Sequence, residues 1–189
     1  MIIKLKELIN TSNLLSLSRL LLVIPLWVLM DYYTSPTYRY ISFSLCVVAA
    51  ITDILDGYFA RKFNQVTELG KLIDPLADKL AIAAIILRLY WIGALPTYYF
   101  LMIILRDVLI FFGGIIVTAK IGKILPSNYI GKVTVINIGL VILFTILGFI
   151  DNIIFYILYY SSILLIIVSF VVYLFRAIEA YRKKDYGTI

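Results

Sequence analysis

The sequence predicts an all-α, polytopic membrane protein with six transmembrane helices and a short N-terminal amphipathic helix at the membrane surface. Of its 189 residues, 63% are hydrophobic and 15% are charged. The mean hydropathy of +1.03 is far above that of soluble domains. Apolar runs close to the roughly 20 residues that a helix needs to cross a bilayer recur from Leu14 to Phe175. These observations exclude a water-soluble globule.

The first predicted element is the interfacial helix, within residues 1–12. Ile2, Leu5, Leu8 and Ile9 repeat at helical spacing and are separated by charged residues. This pattern is typical of a helix that lies on a membrane surface, and a frayed tail is the alternative.

Six apolar segments then form the predicted core, residues 14–176. The predicted spans are 14–30, 40–60, 76–91, 98–119, 133–149 and 153–175. Turn-forming and charged residues separate them. Residues 177–189 form a basic cytoplasmic tail in this prediction. We expect the interfacial helix, the core and the tail to make up one membrane domain, residues 1–189.

The charge distribution predicts the orientation of this domain. Seventeen Lys and Arg residues against eleven Asp and Glu residues give a net charge of +6. Thirteen of the seventeen basic residues fall on one predicted side, which the positive-inside rule assigns to the cytoplasm. Both termini and the loop at 61–74 would therefore face the cytoplasm. We expect the membrane to be the cell (inner) membrane. The charges do not form one basic face, so no nucleic-acid partner is expected.

Four aspartates surround the second predicted cytoplasmic break. Asp53 and Asp56 are three residues apart and Asp74 and Asp78 are four apart, so each pair shares one face of a helix. Pro75 predicts that the third span begins at this point. Four clustered carboxylates would repel each other unless cations neutralise them. Pairing with nearby Lys and Arg residues is one solution, and two divalent metal ions are the other.

The residue types available restrict the metal. Histidine is absent and Cys46 is the single cysteine, so the ligands must be oxygen atoms. Such a set favours Mg²⁺ or Mn²⁺, and a pair of these ions can assist displacement at phosphorus. Gly57 and Ala60 continue the face of Asp53 and leave room for a bulky ligand, and Arg61 can bind a phosphate by paired hydrogen bonds.

These residues form a pattern that resembles a known signature. The stretch from Thr52 to Arg61, followed by that from Gly70 to Lys79, reads Asp-x-x-Asp-Gly-x-x-Ala-Arg and then Gly-x-x-x-Asp-x-x-x-Asp. It closely resembles the signature of the CDP-alcohol phosphotransferase family, with every motif position present. Residues 13–19 are also similar to the start of the first helix in phosphatidylglycerophosphate synthases of that family.

The resemblance implies a reaction of phospholipid biosynthesis. An acceptor alcohol would attack the phosphorus of CDP-diacylglycerol that carries the diacylglycerol, and CMP would leave. Asp53, Asp56, Asp74 and Asp78 would bind the two metal ions, and Asp78 would also take the proton of the acceptor hydroxyl. The implied CDP-lipid site comprises Gly57, Ala60, Arg61 and Gly70, with Thr67 as a weaker addition. The resemblance also implies a homodimer, although the Ile/Leu stripes of the third and fourth helices equally fit a lipid-facing surface.

The acceptor alcohol is less well defined by the sequence. Arg106, Lys123 and Lys132 are available to bind a phosphorylated acceptor, whereas a salt bridge to Asp107 or a role in topology would explain them without a ligand. Residues 127–135 resemble a stretch of phosphatidylglycerophosphate synthases, although Arg-Asp at 106–107 is closer to cardiolipin synthases. Glycerol 3-phosphate is therefore favoured over phosphatidylglycerol, with serine and inositol phosphate behind.

Two other classes of membrane protein also use clustered carboxylates. A divalent-cation transporter would hold them near the bilayer midplane, whereas the four aspartates lie near one predicted surface. Intramembrane prenyltransferases also bind a diphosphate through Asp-rich stretches and Mg²⁺, but they need more helices than 189 residues supply. Both alternatives are therefore less favoured than the phosphotransferase.

Overall fold

The fold is all-helical in the part of the chain that the structure describes. The computed structural model describes the backbone of residues 21–62, 70–121 and 128–185, and the side chains of residues 21–52, 79–120 and 128–182. These segments contain no β-strand. The all-α prediction is thus confirmed, whereas the predicted interfacial helix at 1–12 lies outside the described residues.

Six helices follow one another in the described segments. They are α1 (Leu21–Tyr32), α2 (Pro36–Lys62), α3 (Gly70–Trp91), α4 (Thr97–Ile121), α5 (Tyr129–Leu147) and α6 (Ile153–Asp185). Within the described residues, three are long and apolar enough to cross a membrane, namely α4, α5 and α6. These three helices support an integral membrane protein, and the count of six spans stays a prediction.

The helix ends differ from the predicted spans in an informative way. Helix α3 begins at Gly70, so Pro75 lies in its second turn and not at its first position as expected. Helix α6 continues to Asp185, well past the predicted end of the last span. Hydropathy detects only the apolar part of a helix, while the backbone hydrogen bonds continue through polar residues beyond it. Gly93 and Gly148, both with φ of 75°, follow α3 and α5 and allow the chain to turn away.

The chain divides into two compact units, one of residues 1–95 with 146–148 and one of residues 96–145 with 149–189. In the first unit, a buried arginine connects α1 to α3. Arg88 is only 8% exposed and forms an ion pair with Asp31. Its guanidinium carbon also lies 5.4 Å from the ring centre of Trp27. The two contacts attach the end of α1 to the last turns of α3.

In the second unit, α4 and α6 run parallel and are joined by polar side chains. The Tyr99 hydroxyl lies 2.7 Å from Ser162 Oγ, and Arg106 Nε lies 3.2 Å from Ser169 Oγ. Both contacts join residues 63 positions apart. A constant offset over seven residues means that the two helices advance in the same direction and in register.

Helix α5 runs antiparallel to α6 in the same unit. Its Thr134 Oγ1 lies 2.7 Å from the Ile130 carbonyl oxygen of its own helix and 3.2 Å from the Leu165 carbonyl oxygen of α6, and Asn137 Nδ2 donates to Ser161 Oγ at 3.0 Å. As the position on α5 rises, the partner on α6 falls. Thus α6 contacts α4 and α5 through separate polar groups, which are the kind of contact that joins helices where lipid offers no hydrophobic driving force.

Candidate functional site

The four aspartates of the signature lie on the consecutive helices α2 and α3 of the first unit. Asp53 and Asp56 belong to the second half of α2, and Asp74 and Asp78 belong to the first half of α3. The backbone is helical at all four positions. The spacings of three and four residues therefore place each pair on one face of its helix, as the sequence predicted.

The other positions of the signature are distributed over the same two helices. Gly57, Ala60 and Arg61 lie in the last two turns of α2, and Gly70 is the first residue of α3. Thr67 lies outside the described residues. The motif thus occupies the end of one helix and the start of the next.

The donor set fits a divalent-metal site in its chemistry. Four carboxylates can supply the oxygen ligands that Mg²⁺ and Mn²⁺ prefer, and the chain offers no imidazole to compete. Thr52, which precedes Asp53, uses its own hydroxyl inside α2. Its Oγ1 lies 3.0 Å from the Val48 carbonyl oxygen and 2.9 Å from that of Ala49. This hydroxyl is consequently occupied by the helix backbone.

Arg106, the first of the proposed acceptor-binding residues, is buried in the second unit. It is 8% exposed, and each of two nitrogens of its guanidinium has a partner. Nε donates to Ser169 Oγ, and Nη1 donates to Asp107 Oδ1 at 2.6 Å. The salt bridge to Asp107, which the sequence analysis gave as the alternative to ligand binding, is therefore present. It engages one guanidinium nitrogen, Nη1.

The third nitrogen of Arg106 lies beside the first turn of α5. A Cβ atom placed on Gly131 would be 3.6 Å from Nη2. Among the described residues, Nη2 makes no hydrogen bond. Asn128 precedes α5, and its Oδ1 accepts a hydrogen bond from the Gly131 backbone N–H at 2.5 Å, as a helix N-cap does. Nη2 is thus adjacent to the positive end of a helix.

The predicted lysines have different outcomes. Lys132 lies in the first turn of α5 and is exposed. Lys123 lies outside the described residues. Thus Arg106 and the N-terminal turn of α5 come together in the structure, and Lys132 follows Gly131 in that turn.

Sequence reasoning missed two residues beside Arg106, namely Ser169 and Asn128. Ser169 is 1% exposed and contacts the guanidinium directly. Its signal in the sequence was weak, because a serine in a long apolar span is commonly satisfied by its own helix. The spacing of seven residues between Ser162 and Ser169 was the available indication of a polar seam.

Comparisons with known proteins agree with the signature. The sequence model of the CDP-alcohol phosphatidyltransferase family matches residues 9–173. A protein of Aquifex aeolicus (strain VF5) named CDP-diacylglycerol–glycerol-3-phosphate 3-phosphatidyltransferase is 36% identical over an alignment of 184 residues, and the match covers 93% of this chain and 99% of that protein.

Two further relatives carry the same printed name and match over shorter stretches. One from Rickettsia bellii (strain RML369-C) is 40% identical over 53% of this chain and 55% of its own length. One from Bacillus subtilis (strain 168) is 39% identical over 47% of this chain and 46% of its own length. These two matches thus span about half of each relative. The family match over most of the chain, with the full-length similarity to the Aquifex protein, shows that the chain belongs to the CDP-alcohol phosphatidyltransferase family.

Proposed function

We propose that this chain transfers the phosphatidyl group of CDP-diacylglycerol to glycerol 3-phosphate. In this reaction an acceptor hydroxyl oxygen forms a bond to the phosphorus that carries the diacylglycerol. The bond from that phosphorus to the CMP oxygen breaks, and CMP leaves with the bonding electron pair. The products are phosphatidylglycerophosphate and CMP, so the activity belongs to phospholipid biosynthesis.

The observation that carries the proposal is the complete signature on α2 and α3. It lies within the region matched by the family model, residues 9–173. The relatives' printed name supports glycerol 3-phosphate as the acceptor, and the Aquifex relative matches this chain over 93% of its length. The names therefore favour this acceptor over phosphatidylglycerol, serine and inositol phosphate.

The signature residues have separate tasks in this proposal. Asp53, Asp56, Asp74 and Asp78 hold two Mg²⁺ or Mn²⁺ ions, which supply positive charge to the diphosphate and its leaving group when bound. The family resemblance assigns Asp78 the further task of accepting the proton of the acceptor hydroxyl, which a carboxylate can do in a chain without histidine.

The CDP-lipid is bound by the remaining signature positions. Gly57 and Ala60 admit the nucleotide close to the α2 backbone, and Arg61 donates hydrogen bonds to a phosphate. Gly70 and Thr67 complete this predicted site.

Acceptor binding is assigned to the basic residues Arg106, Lys123 and Lys132. The contacts of Arg106 support its part: Nε and Nη1 are engaged by protein groups, while Nη2 faces the first turn of α5. A guanidinium held in this way keeps donors for a phosphate.

Three finer properties belong to the same proposal. The positive-inside rule supports an active site and termini on the cytoplasmic side of the inner membrane. The apolar helices α4, α5 and α6 support residence in the bilayer among membrane lipids. The family resemblance supports a homodimer.

The direct test is CMP release by the purified protein in detergent with CDP-diacylglycerol and Mg²⁺. Glycerol 3-phosphate, phosphatidylglycerol, serine and inositol phosphate are offered one at a time. We expect release with glycerol 3-phosphate and its loss on chelation of the metal. Asp78→Asn should abolish release, because an amide cannot accept the proton and is a poorer metal ligand.

Asp151→Asn is the matched control, because Asp151 is exposed in the short turn before α6 and outside the signature. It should release CMP at the unsubstituted rate. No release with glycerol 3-phosphate by folded, metal-loaded protein would overturn the proposed acceptor. Release by Asp78→Asn at the rate of Asp151→Asn would overturn the role of Asp78.

A further inference from the structure

The Arg106 guanidinium contacts the hydroxyl of Ser169, whose oxygen can act toward it only as a hydrogen-bond acceptor. Ser169 Oγ donates its own proton to the Ile166 carbonyl oxygen at 3.0 Å within α6. A serine hydroxyl has one proton, so its oxygen can only accept toward α4. The Arg106 Nε–H is the donor that it accepts. The direction of this hydrogen bond is therefore determined by the structure.

The two engaged nitrogens define the orientation of the guanidinium. A planar guanidinium fixed at Nε by Ser169 and at Nη1 by Asp107 has little freedom to rotate. The remaining nitrogen, Nη2, is then directed to the first turn of α5, near Gly131. Loss of the hydrogen bond at Nε would leave only the Asp107 contact, and the side chain could swing toward that carboxylate.

The surroundings of Nη2 suit an anion. The N-terminal end of α5 carries a partial positive charge, and Lys132 follows Gly131 in its first turn. Gly131 has no side chain, so the start of α5 lies close to this donor, and a Cβ atom at position 131 would be 3.6 Å from Nη2. The Asp107 side chain, which neutralises part of the guanidinium charge, is 36% exposed and bonded to a different nitrogen.

We infer that Ser169 is a positioning residue for acceptor binding, which holds Arg106 Nε so that Nη2 presents its N–H groups to the acceptor phosphate. The inference rests on the proposed function, because it takes Arg106 as a ligand of glycerol 3-phosphate. Ser169 itself does not touch the acceptor. Its effect therefore belongs to the KM of the acceptor and not to the chemical step.

The test compares Ser169→Ala with Ser162→Ala. Ser162 is a matched control, since it is as deeply buried, donates to its own helix in the same way and accepts from α4 one heptad earlier, at Tyr99. We expect Ser169→Ala to raise the KM for glycerol 3-phosphate by roughly tenfold or more. This is the effect of losing one hydrogen bond between charged groups, here the bond from Arg106 Nη2 to the acceptor phosphate. The kcat and the KM for CDP-diacylglycerol should remain within about twofold, a difference below 0.5 kcal/mol.

Two substitutions at the same position separate positioning from packing. Ser169→Thr keeps the hydroxyl and should restore the KM for glycerol 3-phosphate. Ser169→Cys keeps the volume but offers a weaker acceptor, and should give an intermediate KM. If Ser169→Ala does not fold, the comparison of Ser169→Cys with Ser169→Thr decides the question.

The outcomes distinguish the inference from the proposed function. If Arg106→Gln raises the KM for glycerol 3-phosphate but Ser169→Ala behaves like Ser162→Ala, Ser169 does not position Arg106 and the inference is wrong. If Arg106→Gln leaves that KM unchanged, Arg106 does not bind the acceptor and the inference fails with it. If CMP release does not depend on glycerol 3-phosphate in the unsubstituted protein, the proposed function itself fails.

Discussion

The Tyr99–Ser162 hydrogen bond between α4 and α6 leads to an asymmetric prediction about stability. Both residues are 0% exposed, and the two oxygens lie 2.7 Å apart. Ser162 donates its proton to the Tyr159 carbonyl oxygen at 2.6 Å, so Tyr99 must be the donor between the helices. Removing the hydroxyl of Tyr99 and removing that of Ser162 therefore have different consequences.

Tyr99→Phe should be the milder change. Ser162 keeps its bond to Tyr159, and the ring at position 99 keeps its place 4.7 Å from the Tyr159 ring. The loss is one neutral hydrogen bond, about 0.5–1 kcal/mol of the free energy of unfolding, close to the average for bonds between membrane helices.

Ser162→Ala should cost more, because it leaves the Tyr99 hydroxyl buried without an acceptor. The expected loss is about 1–3 kcal/mol. In the double variant neither polar group remains, so its loss should be close to that of Tyr99→Phe alone. The double variant is then more stable than the Ser162→Ala variant, although it carries one more substitution.

The assay is reversible unfolding by SDS in mixed micelles, followed by tyrosine and tryptophan fluorescence and analysed as a double-mutant cycle. Equal losses for the two single variants, or a double variant whose loss is the sum of the two, would refute the reasoning. Either result would mean that the two hydroxyls do not share a buried hydrogen bond, and the parallel register of α4 and α6 would lose one of the two contacts with the 63-residue offset.

Two further predictions concern helix α5. Gly131→Ala should lower the free energy of unfolding by about 1 kcal/mol, because the new Cβ would lie 2.6 Å from Asn128 Oδ1 and displace that N-cap. A thermal melt in detergent measures this change. An unchanged melting temperature would contradict the prediction. Asn137→Leu should be neutral or stabilising, because Asn137 Oδ1 is buried without a partner among the described residues while Ser161 keeps its bond to the Leu158 carbonyl. The same melt tests this, and a loss comparable to that of Ser162→Ala would show that Asn137 is better satisfied than its contacts indicate.

The helices themselves were predictable because each depends on its own residues. Apolar runs predicted α4, α5 and α6 to within a few residues at their starts. The signature likewise identified the family, because the spacing of its aspartates is a property of two short segments. Neither inference requires knowledge of which helices touch.

The contacts of Arg106 were not predictable in this way. Its neighbour Asp107 was evident from the sequence, whereas Ser169 lies 63 residues away. A serine in an apolar span has no local feature that distinguishes a polar seam from a hydroxyl bonded to its own helix. Only the register of α4 against α6 identifies its partner.

The same register supports both the stability of the helix pair and the orientation of Arg106. The contacts at Ser162 and Ser169 are one heptad apart and have the same offset, so a slip of one residue between α4 and α6 would break both. The two serines nevertheless differ in what they hold, since one accepts from a tyrosine and the other from an arginine assigned to the acceptor. Substitution at either position should therefore weaken the helix pair, and only substitution at Ser169 should also weaken acceptor binding. If one register serves both roles, substitutions at Ser162 and at Ser169 must both lower stability, whereas only substitution at Ser169 must raise the KM for glycerol 3-phosphate.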